Sequence, residues 1–354
     1  MVLFGLLAAS IGRTLGAVDH EDFARAALPS YGRPAGSLRL LSVSENAMYL
    51  VEPTVGEGGA PVEPLVLRVH RPGYHSAPAI ESELAWMRAL GEQTDIVTPR
   101  LVPALDGTPL VAVRLGDEVR HVAAFAFIPG CTAEESTEDI GFVDLGRITA
   151  VMHRHAREWV PPQSFTRFRW DVDTTLGPSG RWGDWRAAPG MTPALRAEIE
   201  PAATEVVRRL REFGDGPDRF GLVHADLRLA NLMVDDARSL TVIDFDDCGW
   251  SWYLADLAAV VSWIETTPEA ERIVRDWLTG YLDIAPLPRE HLRLVPTFVM
   301  LRRLMLTAWI GTHRDAGAAI AVAGHFAAGT AELARRYLHD TTWMAVVSDV
   351  LVDG

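Results

Sequence analysis

Hydrophobic and polar positions alternate in short runs through the first third of the chain and recur at helical spacing through most of the rest. Asp19 to Ala27 has the pattern of a short capped helix ending before Pro29. The β-like runs Ser37 to Val43, Ala47 to Glu52 and Pro64 to His70 follow. Between the second and third lies the glycine-rich stretch Val55 to Pro61, which suits a hairpin tip where positive φ is needed. Ala79 to Leu90 returns to helical spacing, with Ile80, Leu84 and Met87 on one face. Strands at Pro109 to Val113 and His121 to Ile128 complete this region, and Pro129-Gly130 breaks the run. A first domain over residues 1–128 and a second over 131–354 are expected, joined by a hinge near 125–130.

Beyond that break the helical period dominates. Helices are predicted at Phe142 to Trp159, Pro193 to Phe213, Leu254 to Glu265, Val295 to Thr312 and Ala318 to His339. One stretch interrupts them: Phe220 to His224, Leu232 to Val234 and Thr241 to Phe245 read as short strands between loops dense in Asp, Asn and Arg. The class is α+β, with a small antiparallel sheet first and a larger helical part after it.

At 354 residues, 48% apolar and 23% charged, the chain has the length and composition of two globular domains, each with its own core. The net charge of −14 argues against nucleic acid, which demands a concentrated basic surface, and suits a small cationic partner better. Lysine is absent, so all 33 basic residues in the Lys+Arg count are arginine. That excludes the P-loop nucleotide site and Schiff-base chemistry, both of which need a lysine. Cys131 and Cys248 are too far apart in sequence for a disulfide framework or a paired metal motif, and a reducing cytoplasm is the expected setting. The apolar stretch Met1 to Ile11 has no Lys or Arg before it and is expected to be a docked helix rather than a signal peptide. No window reaches the ~18 uninterrupted apolar residues of a membrane span.

The chemistry concentrates in His224-Ala-Asp226-Leu-Arg-Leu-Ala-Asn231, followed after a predicted hairpin by Ile243-Asp244-Phe245-Asp246-Asp247. This resembles the H-x-D-x-x-x-x-N catalytic loop and metal-binding D-F-G segment of protein kinases and their small-molecule relatives. As a set the motifs resemble the aminoglycoside phosphotransferase, choline kinase and homoserine kinase group. Leu67-Arg-Val-His-Arg-Pro-Gly73 and Trp182-Gly-Asp-Trp185 look most like its bacterial stress response kinase and homoserine kinase branch.

The resemblance implies a bilobal kinase-like fold and ATP- and Mg-dependent transfer to a hydroxyl of a small, amine-bearing acceptor. It implies Asp226 as catalytic base, since the attacking hydroxyl must give up its proton. It also implies Asn231 and Asp244 as oxygen ligands of magnesium, with Asp246 assisting. Arg68 stands on the strand where kinases carry a lysine that touches the phosphates, and Glu83 on the next helix is its expected partner. The Ser42 to Tyr49 turn, with Asn46, has no glycine and resembles the Ser-Glu-Asn turn that covers the nucleotide in this group. Phe125 to Gly130 looks like the hinge, where the Ala126 carbonyl and the Ile128 amide would meet the adenine edge. Asp256 resembles the aspartate that braces the catalytic loop.

Other features have plainer readings. His153 and His155 sit i,i+2 on different sides of a helix and are expected to be structural. The tryptophans of Arg181 to Arg186 either line an acceptor pocket or pack over a core. Two further functions stay open from sequence: a protein Ser/Thr kinase, and a nucleotide-binding pseudokinase suggested by Arg68 and the glycine-free turn.

Overall fold

The computed structural model describes residues 19–33, 36–43, 45–55, 61–138, 140–178, 180–314 and 316–344. The apolar stretch Met1 to Ile11, residue 44 of the Ser-Glu-Asn turn and residues 56–60 of the expected hairpin tip lie outside them. Among the described residues the chain forms two compact units. The first takes residues up to Glu92, Val97–Gly130 and Pro161–Thr166; the second takes Gln93–Ile96, Cys131–Val160 and the chain from Arg167 onward.

In the first unit, helix α1 (His20–Ala27) starts at Asp19, whose backbone N–H donates to the Asp22 carboxylate at 3.2 Å. Strands β1 (Leu38–Val43), β2 (Ala47–Val51), β3 (Thr54–Val55), β4 (Pro61–Val62) and β5 (Leu65–Val69) follow, then helix α2 (Ala77–Gln93), β6 (Leu101–Val102), β7 (Val111–Leu115) and β8 (Glu118–Ala126). The main sheet runs β1-β2-β5-β8-β6, with β7 on β8, and every pairing is antiparallel. Its core gathers Phe23, Leu28, Tyr31, Val51, Leu67, Val69 and Val122, and the Tyr31 hydroxyl donates to the Val122 carbonyl at 2.8 Å. Strand β7 runs two residues past the expected Val113 to a turn at Gly116, which takes φ +60 as a tight hairpin requires.

The second unit contains β9 (Cys131–Thr132), α3 (Phe142–Glu158), α4 (Val172–Thr175), α5 (Pro193–Phe213), β10 (Phe220–Val223), β11 (Leu232–Val234), β12 (Leu240–Val242) and β13 (Gly249–Trp252). It closes with α6 (Leu254–Val260), α7 (Glu269–Leu282), α8 (Arg289–Leu292), α9 (Val295–Thr312), α10 (Gly317–Val322) and α11 (Phe326–His339). Helices α3 and α7 approach closely because Gly146 and Gly280 each lie against the backbone of the opposite helix; a Cβ on Gly146 would strike the Trp277 carbonyl and one on Gly280 the Val143 carbonyl. β10 pairs with β13, and β12-β11-β9 form a small sheet.

Other boundaries also differ from the expected ones. The helix predicted to reach Glu265 ends at Val260, and the turns after it pass through Trp263 at φ +76. The helix predicted over Ala318 to His339 breaks into α10 and α11 around Gly324, a residue with poor helix propensity. The strand predicted to reach Phe245 ends at Val242, because Asp244 takes φ +62, which no strand accommodates. Among the described residues no helix is long and apolar enough to cross a membrane, and both cysteines are free.

Candidate active site

In the first unit the sheet places Arg68 opposite Met48 on one side and Ala123 on the other, in the middle of β5. Arg68 and Glu83 are both buried, and the guanidinium meets the Glu83 carboxylate at 2.7 Å. His70, two residues on and so on the same face of the strand, accepts from Arg68 Nε at 3.2 Å. The guanidinium carbon also lies 5.2 Å from the Phe125 ring centroid. The expected strand–helix ion pair is thus formed, with arginine in it.

Asn46 is buried, and its side-chain oxygen accepts the Arg71 N–H at 3.1 Å, while the Arg71 guanidinium pairs with Glu45 at 2.5 Å. The turn is therefore tied to the loop after β5. Ala126 is the last residue of β8, its N–H given to the Arg100 carbonyl at 2.9 Å, and Ile128 is half-buried just beyond.

In the second unit the His224-to-Asn231 loop leaves β10 and turns sharply at Ala225, which adopts φ +70, a left-handed conformation that costs an alanine about 1–2 kcal/mol. Asp256 on α6 holds it there. Its carboxylate accepts the Ala225 N–H at 2.7 Å and the His224 N–H at 3.2 Å. His153 on α3 approaches the same carboxylate at 3.0 Å and the Tyr281 hydroxyl at 3.0 Å. Burial lowers the His153 pKa against the opposing pull of Asp256, so the ring is neutral, giving its Nε2–H to the carboxylate. The His224 ring meets the Ile243 carbonyl at 3.0 Å and so ties the loop to the strand end beside Asp244.

Asp226 emerges from this brace with its side chain 19% exposed. Asn231 donates from Nδ2 to the Asp226 carbonyl at 2.8 Å and to its Oδ2 at 3.1 Å. Arg228 pairs with the same oxygen at 3.2 Å, and Arg302 of α9 donates to Oδ1. Burial pushes the Asp226 pKa up, but Arg228 and Arg302 outweigh it and hold the carboxyl below the usual carboxylate range.

Asn231 precedes β11 and Asp244 follows β12. The pairing of Leu232 with Val242, with the Ile243 N–H on the Asn231 carbonyl at 3.0 Å, brings both to one end of the hairpin. Asn231 spends its amide nitrogen on Asp226, which leaves its oxygen as the donor to a hard cation; Asp244 is exposed. An amide oxygen and an exposed carboxylate at one hairpin end fit a divalent cation. Asp246 is buried, and its segment is pinned by Arg167, which donates to the carbonyls of Cys248 at 2.6 Å and Asp246 at 2.5 Å.

Among the described residues no group of three or more His, Cys, Asp or Glu is gathered to hold a metal. His155 bonds instead to Gln93 at 3.1 Å. Trp182 and Trp185 are buried, and Trp182 lines a small cavity with Trp170, Ala225, Ser251, Phe298 and Arg302. Sequence reasoning missed Arg228 and Arg302. The first lay inside the motif; the second was signalled only by Arg302-Arg303 in the otherwise apolar α9.

An antiparallel sheet with a buried strand–helix ion pair, and a helical unit carrying this braced loop, define a kinase-like phosphotransferase. The comparisons agree. The profile of the phosphotransferase enzyme family matches residues 37–292, and the chain belongs to that family. It is 25% identical over 302 residues to amicoumacin kinase of Bacillus subtilis (strain 168), covering 82% of this chain and 84% of that protein. The structure of a microcompartment-associated aminopropanol kinase superposes with a TM-score of 0.80 at 42% identity, covering 89% of this chain and 96% of that one. An amicoumacin kinase in complex with AMP-PNP, Ca2+ and Ami shares the fold, with a TM-score of 0.65 at 20% identity over 83% of this chain and 88% of that one. The chain is an ATP-using phosphotransferase acting on a hydroxyl of a small molecule.

Proposed function

We propose that the chain transfers the γ-phosphate of ATP, with Mg2+, to the hydroxyl of a small amino alcohol. The observation that carries this reading is the 42% identity, over 89% of the chain, to an aminopropanol kinase. The net charge of −14 supports a cationic acceptor. A cytoplasmic setting is supported by two free cysteines, one of them exposed.

In this reading Asp226 accepts the hydroxyl proton as the acceptor oxygen bonds to phosphorus and ADP leaves. Asn231 and Asp244 would hold the cation, which, when bound, neutralises charge on the phosphates. Arg68, kept in place by Glu83, would give its positive charge to the α- and β-phosphates. The Ala126 carbonyl and Ile128 amide would meet the adenine edge, and the turn anchored by Asn46 would cover the nucleotide.

The test is incubation with ATP and Mg2+ and a panel of small amino alcohols, their N-acetyl derivatives and matched neutral alcohols, following ADP release and phosphomonoester formation by 31P NMR. Phosphorylation confined to the free amines is expected. Equal turnover of the N-acetyl or neutral alcohols would overturn the amine requirement.

A further inference from the structure

Arg302 is out of place by composition. It sits in the middle of α9, where nearly every neighbour is apolar and buried, and its own side chain is 7% exposed. A buried guanidinium is retained at a cost unless its donors are satisfied. Here Nε donates to the Ser262 hydroxyl at 2.9 Å, one terminal nitrogen to the Ala225 carbonyl at 3.1 Å, and the other to Oδ1 of Asp226. Its plane is flanked by Trp182, with the guanidinium carbon 5.1 Å from the ring centroid. The fork therefore bridges α9 and the turn after α6 to the two loop residues whose geometry sets the carboxylate.

Arg228 contacts the same carboxylate differently. It is 28% exposed, and its bonds to Asp226 run from 3.2 to 3.4 Å. Arg302 is the better anchored of the two. Asp256 holds the Ala225 N–H from one side, and Arg302 holds the Ala225 carbonyl from the other.

We propose that Arg302 is a positioning residue for phosphoryl transfer: pinned by Ser262 and Ala225, it fixes Oδ1 of Asp226 and so sets the orientation in which the carboxylate takes the acceptor's proton. The inference rests on the reading of Asp226 as the base, and not on the identity of the acceptor. Lysine cannot replace it fully, because an ammonium keeps the charge but lacks the planar fork that spans three acceptors.

The test compares the wild type with Arg302→Met, Arg302→Lys and Ser262→Ala by steady-state kinetics, thermal melts and crystal structures. Misplacing a catalytic group by about 1 Å costs on the order of 100-fold. The Met variant is expected to lose about 100-fold in kcat with KM for ATP within about twofold. The Lys variant should recover part of that loss, and Ser262→Ala should show a smaller loss of the same kind. In the crystal, the Asp226 carboxylate of Arg302→Met should rotate away from its wild-type position. An unchanged carboxylate, or an unchanged kcat in a folded Met variant, overturns the proposal. If the wild type phosphorylates no amino alcohol, the acceptor reading fails while the crystallographic comparison still decides the role of Arg302. Should Arg302→Met not fold, the Lys and Ser262 variants carry the same test, and wild-type kcat and carboxylate geometry in both would overturn it.

Discussion

Asp256→Asn isolates the brace under the catalytic loop while changing one atom. The Asp256 carboxylate is 1% exposed and faces three donors: the Ala225 N–H at 2.7 Å, the His224 N–H at 3.2 Å and the His153 ring at 3.0 Å. An amide offers one oxygen and one NH2, so whichever way it flips a donor meets a donor. At least one charge-assisted bond is lost, at about 1.5–3 kcal/mol. The left-handed conformation of Ala225 at φ +70 costs about 1–2 kcal/mol, so the loss is large enough to let the loop relax. With each 1.4 kcal/mol equal to a factor of about ten, kcat should fall about 10- to 100-fold. Because Asp256 lies in the second unit and the direct nucleotide contacts are proposed in the first, KM for ATP should stay within about twofold. Adding Ala225→Gly should restore part of kcat, since glycine adopts positive φ freely. The measurement is a coupled ADP-release assay on folded protein. A kcat within twofold of wild type, or no rescue by glycine, would refute the reasoning.

Two further outcomes follow from the buried charges. Glu83→Gln leaves the Arg68 cation buried without its carboxylate and should destabilise by about 3–5 kcal/mol; Arg68→Met in the same background should recover much of that in chemical denaturation, and a Glu83→Gln variant as stable as wild type would contradict the pair's importance. His153 is held neutral, so the unfolded chain takes up a proton near pH 6.5 that the folded one refuses; its contribution to stability is full above that pH and is lost as pH falls through the lower folded pKa. His153→Gln should therefore flatten part of the fall in melting temperature below about pH 6.5, with an unchanged slope counting against it.

What could be read from sequence was what local pattern encodes. The alternating runs of β2 and β5 and the helical period of α2, α3, α5 and α9 are set by neighbouring residues, and their places were legible. So was the loop from His224 to Asn231, because its spacing joins Asp226 to Asn231 within one turn. The helix end at Val260 was not, since it depends on backbone conformations that tertiary packing selects. Arg302 was the hardest to see: its partner Asp226 lies 76 residues away, and the link exists only once α9 packs beside α6. Its neighbour Arg303 shows the same composition with a different outcome, pairing with buried Glu265 at 2.8 Å. Two adjacent arginines in an apolar helix thus announced buried charge, but not which one meets the base.

The most direct test of the central claim is Asp226→Asn, assayed for phosphomonoester formation with ATP, Mg2+ and the accepted alcohol, beside calorimetric titration with a non-hydrolysable ATP analogue. Loss of turnover by about 100-fold or more with analogue affinity close to wild type is the predicted result. Turnover retained in the Asn variant would contradict the assignment of Asp226 as the base.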